Sequence, residues 1–271
     1  MICKKINLDE KCDNIYLEAL IADKINGCQR DAILVIPGGG YHRVCSDREG
    51  EPIAQAFMPY GFNAFILHYS VATVNDNTFP TQLIEASKAI KHIKDNAEEY
   101  GINPERIFVV GFSAGGHLAA SIGNMWSLPD IYKAVDMPYG YNKPTGVMLI
   151  YPVISGVSEY AHKGSFINLL ASENPDKSDL EKCSIELHVS ADSSPAYLVH
   201  AANDSLVKPE NSLILAMEYS KHKIPYELHI YPRGEHGFAL ANEITWCNYQ
   251  EHINRANEKW VQNAVEWSKT I

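Results

Sequence analysis

The sequence predicts a three-layer α/β fold, with a mostly parallel sheet and helices on both faces. Apolar runs of strand length alternate along the chain with longer stretches whose apolar residues recur at helical spacing. The short runs are apolar throughout, which is typical of strands covered on both faces. With 271 residues, 46% of them hydrophobic, the chain can bury the core that this fold needs. We therefore predict one domain over 1–271.

The predicted strands stop where turn-forming residues begin. The first, near Ile15 to Ile21, is expected to pair antiparallel with its neighbour. Ile33 to Ile36 is stopped by Pro37 and three glycines. The other predicted strands are 63–69, 106–111, 146–151, 196–201 and 226–231.

Helical periodicity fills the intervals between these strands. One helix is predicted to begin at Pro80, a favoured first-turn position, and to end at Gly101, before a turn at Asn103-Pro104. The other predicted helices are 113–123, 209–222 and 248–268. Two polar stretches, 124–145 and 155–194, fit neither the strand pattern nor the helix pattern. We predict that they form loops and short helices above the sheet, where they would overhang a functional site.

Charge and composition exclude several classes of protein. The net charge of −10 would repel nucleic acid, and no run of 18 apolar residues predicts a membrane span. Charges interrupt the first ten residues, so we predict no signal peptide and a cytoplasmic location. No cysteine pair has C-x-x-C spacing, which predicts reduced thiols and leaves a catalytic cysteine as the disfavoured alternative. The cysteines are Cys3, Cys12, Cys28, Cys45, Cys183 and Cys247.

The strongest local signal is Gly111-Phe112-Ser113-Ala114-Gly115, which matches G-x-S-x-G. It follows a predicted strand and opens a predicted helix, the context in which this motif lifts a nucleophilic serine above a sheet. The pentapeptide alone also fits a glycine-rich turn that cradles a phosphate. The nucleotide fingerprint G-x-G-x-x-G is absent, and this favours the nucleophile.

A serine hydroxyl needs a base, and this motif is followed along the chain first by an acid and then by a histidine. Asp204 directly follows the strand 196–201, and His236 lies between glycines after the strand 226–231. Alone, Asp204 also fits a turn residue and His236 a solvated loop residue. Because each follows its own strand in the required order, we predict a triad of Ser113, Asp204 and His236. Asp192 precedes its strand and so lies at the wrong end of the sheet.

The glycine run Pro37-Gly38-Gly39-Gly40-Tyr41 also follows a strand. Without side chains in the way, its N–H groups could join that of Ala114 in binding an oxyanion. Three glycines alone also fit a flexible loop. Glu49, which follows the run, is interpreted as a residue that holds it by hydrogen bonds. No two histidines have the close spacing in sequence that is typical of metal ligands. We therefore predict no metal and no cofactor.

At these residues the sequence resembles the α/β-hydrolase esterases related to acetylxylan esterases and to the hormone-sensitive-lipase group, some of which are described as sugar hydrolases. The resemblance runs from about Ala32 to Ala241. It implies an α/β-hydrolase fold, with Ser113 as nucleophile, Asp204 as acid and His236 as base, and with oxyanion donors at Gly39, Gly40 and Ala114. It is carried by 36–41, 111–119, 194–204 and 231–237.

The sequence departs from the lipase group where Pro37 stands in place of that group's histidine, and where no room is left before Pro37 for helices that cap the site. Both departures favour the sugar-esterase branch. We therefore expect an esterase for short acyl groups, acetyl above all, on a sugar or another small polar alcohol. A peptidase of the prolyl-oligopeptidase type and a non-catalytic binding protein of this fold remain as alternatives. No oligomeric state is predicted.

Overall fold

The computed structural model describes residues 1–9, 12–74, 78–246, 248 and 250–271. Its strands form one eight-stranded sheet in the order β1-β2-β4-β3-β5-β6-β7-β8. β2 pairs antiparallel with β1 and with β4, and all other neighbours are parallel. The strands are β1 Ile2–Asn7, β2 Tyr16–Ile21, β3 Arg30–Ile36, β4 Phe62–His68, β5 Ile102–Phe112, β6 Gly146–Ile150, β7 Ala196–Ala201 and β8 Tyr226–Tyr231.

Every predicted strand is confirmed, including the antiparallel pairing of the first. Of the strands in the described residues, only β1 lacks a predicted counterpart, and its half-exposed, alternating residues explain why a search for continuous apolar runs misses it. The predicted turn at Asn103-Pro104 is wrong, because these residues lie inside β5. The pairing with β3 steps there from Ile102 to Ile107, so the extra residues form an irregularity within the strand.

The helices begin and end close to the predicted residues, with one exception. The predicted helix 248–268 is wrong in its first half, where the described residues form 3-10 turns at 250–252 and 257–259. The helices are α1 Ser46–Glu49, α2 Glu51–Phe57, α3 Thr81–Asp95, α4 Ala97–Tyr100, α5 Ser113–Met125, α6 Pro129–Ala134, α7 Lys163–Leu170, α8 Lys177–Cys183, α9 Glu210–His222 and α10 Trp260–Ser268.

Helices cover both faces of the sheet, as predicted. Successive residues of a strand point to opposite faces, so Leu34 packs with the side chains of α3, α5 and α9. Its neighbour Val35 packs with those of α2 and α10 on the other face. The central strands therefore contain continuous apolar runs because each face has its own core.

The first polar stretch, 124–145, lies away from the site, which corrects one expectation. α5 begins at the carboxyl end of β5, and its 13 residues carry the chain back by about 20 Å. Residues 126–145 therefore lie at the amino edge, where the Trp126 indole donates to the carbonyl of Asp192, and they do not overhang the site. The stretch 155–194 follows the carboxyl end of β6 and contains α7 and α8, as predicted.

In the part of the chain that the structure describes, no helix has both the length and the apolar composition needed to cross a bilayer. The described cysteines, Cys3, Cys12, Cys28, Cys45 and Cys183, are free thiols. Cys247 lies outside the described residues.

Candidate active site

Ser113 lies at the tight turn between β5 and α5, with a φ of 53°. This left-handed conformation is costly for a residue with a side chain and is found where the surrounding structure enforces it. Here α5 packs so closely on the sheet that a Cβ at Gly115 would stand 2.2 Å from the carbonyl oxygen of Ile36. The motif therefore needs its glycine for close approach, and the turn holds the serine above the carboxyl edge.

Three parallel strands bring the predicted triad together at that edge. Ser113 follows β5, Asp204 follows β7 and His236 follows β8. The Oγ of Ser113 lies 2.9 Å from Nε2 of His236, and Nδ1 of His236 lies 2.7 Å from Oδ2 of Asp204. Because a carboxylate only accepts, Nδ1 carries the hydrogen and Nε2 is left to accept from the serine hydroxyl.

Asp204 is 3% exposed, and donors surround its carboxylate. The backbone N–H groups of Leu206 and Val207 both donate to Oδ1 at 3.0 Å. Burial alone would raise the pKa of Asp204, but the N–H groups of His200 and His236 outweigh it and hold that pKa well below its usual range. The carboxylate therefore stays ionised beside the imidazole.

The glycine run lies directly beside Ser113. A Cβ at Gly38 would stand 2.9 Å from the Cβ of Ser113, so the two loops touch. Gly39 has a φ of 127°, and a Cβ there would collide with the carbonyl of Arg43 at 2.1 Å. The N–H of Gly38 is engaged by Oε2 of Glu49 at 2.8 Å. Within the run, the N–H groups of Gly39 and Gly40 are therefore the candidate oxyanion donors.

Ala114 lies in the first turn of α5. The first N–H groups of a helix have no partner within it and carry its positive dipole end. The N–H of Ala114 is therefore a third candidate donor, next to the serine.

Glu49 connects the glycine run with the histidine loop, which goes beyond the hydrogen bonding expected from the sequence. Its side chain is 1% exposed, and its Oε1 accepts from the hydroxyl of Tyr151 at 2.9 Å. That hydroxyl in turn accepts from the backbone N–H of Ala239 at 3.1 Å. The ring of Tyr151 meets that of His236 edge to face, with centroids 4.9 Å apart. One carboxyl group thus fixes both loops.

A buried histidine supports the glycine run from the helix side. Nε2 of His117 donates to the carbonyl of Cys183 at 2.7 Å, so its Nδ1 accepts from the Tyr41 hydroxyl at 2.7 Å. Burial lowers the pKa of His117 to about 4, so the ring is neutral at neutral pH. Sequence reasoning missed this role and that of Tyr151, because both depend on contacts between residues distant in the chain.

The stretch 155–194 supplies a polar wall beside the glycine run. Nδ1 of His162 lies 2.8 Å from Oγ of Ser165, and the amide of Asn168 donates to the carbonyl of Gly40 at 2.8 Å. A Cβ at Gly40 would stand 4.0 Å from the Ser165 hydroxyl. Burial, together with the nearby His236, lowers the pKa of His162. A neutral imidazole and a hydroxyl therefore lie next to the triad.

Among the described residues, no group of three or more His, Cys, Asp or Glu side chains is placed to hold a metal ion.

Comparison with known proteins gives matches along the whole chain. A family model described as BD-FAE matches residues 19–219, and one described as the dienelactone hydrolase family matches residues 182–271. The crystal structure of an acetyl ester-xyloside bifunctional hydrolase from Caldicellulosiruptor lactoaceticus superposes with a TM-score of 0.83 at 34% identity, covering 98% of this chain and 96% of that one. A sugar hydrolase from Lactococcus lactis superposes with a TM-score of 0.82 at 28% identity, covering 99% and 98%.

Two curated proteins are longer than this chain. An acetylxylan esterase of Xylanibacter ruminicola is 29% identical over 243 residues, 89% of this chain and 45% of that protein. An endo-1,4-beta-xylanase B of Butyrivibrio fibrisolvens is 36% identical over 218 residues, 79% of this chain and 33% of that protein. The chain thus spans less than half of either relative. These matches confirm the resemblance and the α/β-hydrolase fold that the sequence predicts.

Proposed function

The chain belongs to the BD-FAE family, and on that premise we propose that it is a serine carboxylic ester hydrolase. The observation that carries the proposal is the unbroken series of hydrogen bonds from Ser113 through His236 to Asp204. It begins at a serine with a φ of 53°, held beside the glycine run 38–40. Ser113 is the proposed nucleophile, His236 the base and Asp204 the acid.

Acylation follows from this geometry. As Oγ of Ser113 attacks the ester carbonyl carbon, its proton passes to Nε2 of His236, 2.9 Å away. The imidazolium that forms is stabilised by the ionised Asp204 at Nδ1. The carbonyl oxygen becomes an oxyanion and accepts hydrogen bonds from the N–H groups of Gly39, Gly40 and Ala114. When the tetrahedral intermediate collapses, the C–O bond to the alcohol breaks and Nε2 returns the proton to the leaving oxygen.

Deacylation repeats these steps with water. Nε2 of His236 takes a proton from a water molecule, whose oxygen attacks the acyl carbonyl. The same N–H groups stabilise the second oxyanion. Collapse releases the carboxylic acid and returns the proton to Ser113, so the enzyme is regenerated and no cofactor is consumed.

The proposed substrate is a short-chain ester, acetyl above all, of a sugar or another small polar alcohol. His162 and Ser165 present hydrogen-bonding groups beside Gly40, and such groups suit the hydroxyls of a polar alcohol better than a long acyl chain. The names of the acetylxylan esterase and of the acetyl ester-xyloside hydrolase support the same substrate class by analogy.

The acyl preference can be measured with p-nitrophenyl esters from acetate to octanoate. A long apolar tunnel would gain about 0.8 kcal/mol, or roughly fourfold in kcat/KM, for each added methylene. We expect kcat/KM to fall along the series instead, and we expect release of acetate from acetylated xylose or xylo-oligosaccharides. A rise along the series with acetylated sugars left intact would contradict the sugar-ester proposal and leave the serine hydrolase untouched.

Glu49→Gln tests the connection between the glycine run and the histidine loop. The amide can accept only one of the two hydrogen bonds now made by Gly38 and Tyr151. We expect kcat/KM to fall by about 10- to 100-fold, because a small misplacement of catalytic groups is enough for such a loss. The free energy of unfolding should fall by roughly 1–3 kcal/mol.

The matched control is Glu51→Gln, on the adjacent helix, where the exposed carboxylate only accepts from Gln55. It should match the wild type in both kcat/KM and stability. Equal activity of Glu49→Gln and Glu51→Gln would show that the Glu49 hydrogen bonds do not organise the site.

A further inference from the structure

His200 is a buried histidine that the proposed reaction does not use. It lies in β7, four residues before Asp204, and is 0% exposed. Its Nδ1 lies 2.8 Å from Oγ of Ser212 on α9, and its Nε2 lies 2.9 Å from the carbonyl oxygen of Val207. The same Nε2 lies 3.4 Å from Oδ2 of Asp204. Nδ1 of His236 is hydrogen-bonded to this same oxygen.

These partners determine which ring nitrogen carries the hydrogen. The carbonyl of Val207 can only accept, so Nε2 of His200 must be the donor. In the neutral ring Nδ1 then accepts, and the hydroxyl of Ser212 donates to it. The N–H of Nε2 therefore has its positive end directed at the carbonyl of Val207 and close to the carboxylate of Asp204.

Val207 lies between the two groups. Its backbone N–H donates to Oδ1 of Asp204, and its carbonyl accepts from His200. His200 thus holds the turn that carries the acid, and at the same time faces the acid's other oxygen. Ser212 fixes His200 to α9, so the acid is anchored to a strand and a helix as well as to its own loop.

We propose that His200 is a positioning residue for the triad. It acts through Asp204: it directs Oδ2 towards Nδ1 of His236 and stabilises the ionised carboxylate that the imidazolium requires. It touches no substrate. The inference rests on the proposed function and extends the series of hydrogen bonds to Ser212, His200, Asp204, His236 and Ser113.

The test compares substitutions that remove the Nε2 donor with one that keeps it. His200→Leu and His200→Met remove it, and the flexible methionine serves if the leucine variant does not fold. His200→Gln retains an amide N–H that can occupy the position of Nε2. We expect the first two to lower kcat/KM for p-nitrophenyl acetate by roughly 10- to 100-fold, mostly in kcat. For the glutamine variant, the fall in log kcat/KM should be less than half of that seen with leucine or methionine.

A control separates positioning from general damage to β7. Leu198→Ala removes a fully buried side chain from the same face of the same strand without touching Asp204. Rates are compared per folded molecule, with the folded fraction measured by near-ultraviolet circular dichroism. A double-mutant cycle adds His200→Leu to Asp204→Asn. If His200 acts through Asp204, adding His200→Leu to Asp204→Asn should lower kcat/KM only slightly further, because the effects of coupled residues are not additive.

The outcomes are distinct. The inference is overturned if His200→Leu and His200→Met are no slower than Leu198→Ala, if His200→Gln is as slow as they are, or if the loss is undiminished in the Asp204→Asn background. If the wild type itself neither hydrolyses the ester nor reacts with a fluorophosphonate, the proposed function fails instead.

Discussion

Ser113→Ala is expected to lower kcat for ester hydrolysis by about 10⁶-fold, which is the scale seen when a triad nucleophile is lost. The substitution removes the Oγ that lies 2.9 Å from His236, and with it the covalent route. What remains is the binding of substrate and of the oxyanion. The measurement is kcat and KM on p-nitrophenyl acetate, together with fluorophosphonate labelling, which should be lost completely.

Ser178→Ala, on the exposed surface of α8, is the matched control and should be labelled and active like the wild type. The labelling also separates an active hydrolase from a binding protein of the same fold, which would not react in either form. Near-wild-type hydrolysis by purified, folded Ser113→Ala would place the nucleophile elsewhere.

His236→Ala is expected to cause a loss of similar size, about 10⁶-fold in kcat, because serine attack and alcohol departure both need the imidazole. The pH profile gives a second test. The lowered pKa of Asp204 keeps that carboxylate ionised through the assay range. If His236 is the base, wild-type activity should fall towards acid pH, since only a neutral imidazole can take the serine proton. The residual activity of His236→Ala should lack this acid limb.

His222→Ala, at the exposed end of α9, controls for the loss of a histidine and should keep both the rate and the acid limb. If His236→Ala retained activity with an unchanged acid limb, another group would be the base.

Much of the fold and the site could be predicted because their signals are local. Apolar runs mark β3 to β7, since each of these strands is parallel to a neighbour and covered on both faces. Ser113, Asp204 and His236 each follow a strand, so their meeting at one edge follows from parallel topology alone. The oxyanion roles of Gly39, Gly40 and Ala114 remain predictions; the structure brings Gly38 of the same run against Ser113.

The remainder depends on contacts that the chain order does not reveal. The hydrogen bond between Tyr151 and Ala239 joins residues 88 positions apart in the chain. That between His117 and Cys183 joins residues 66 positions apart. No local sequence motif therefore identifies these networks. The position of 126–145 depends on the direction in which α5 returns across the sheet. The predicted helix from Asn248 was wrong because its helical spacing is interrupted by 3-10 turns, which leave only Trp260–Ser268 as a regular helix.

The stretch 155–194 connects β6 to β7, and the proposed triad residues lie outside it. It contains His162 and Ser165, which present polar groups beside Gly40. Its closest contacts with the site include the amide of Asn168 on the carbonyl of Gly40, and the carbonyl of Cys183 and the ring of Phe166 on His117. Because none of the three proposed triad residues lies in this stretch, we expect substitutions on its exposed surface to alter substrate range more than catalytic power.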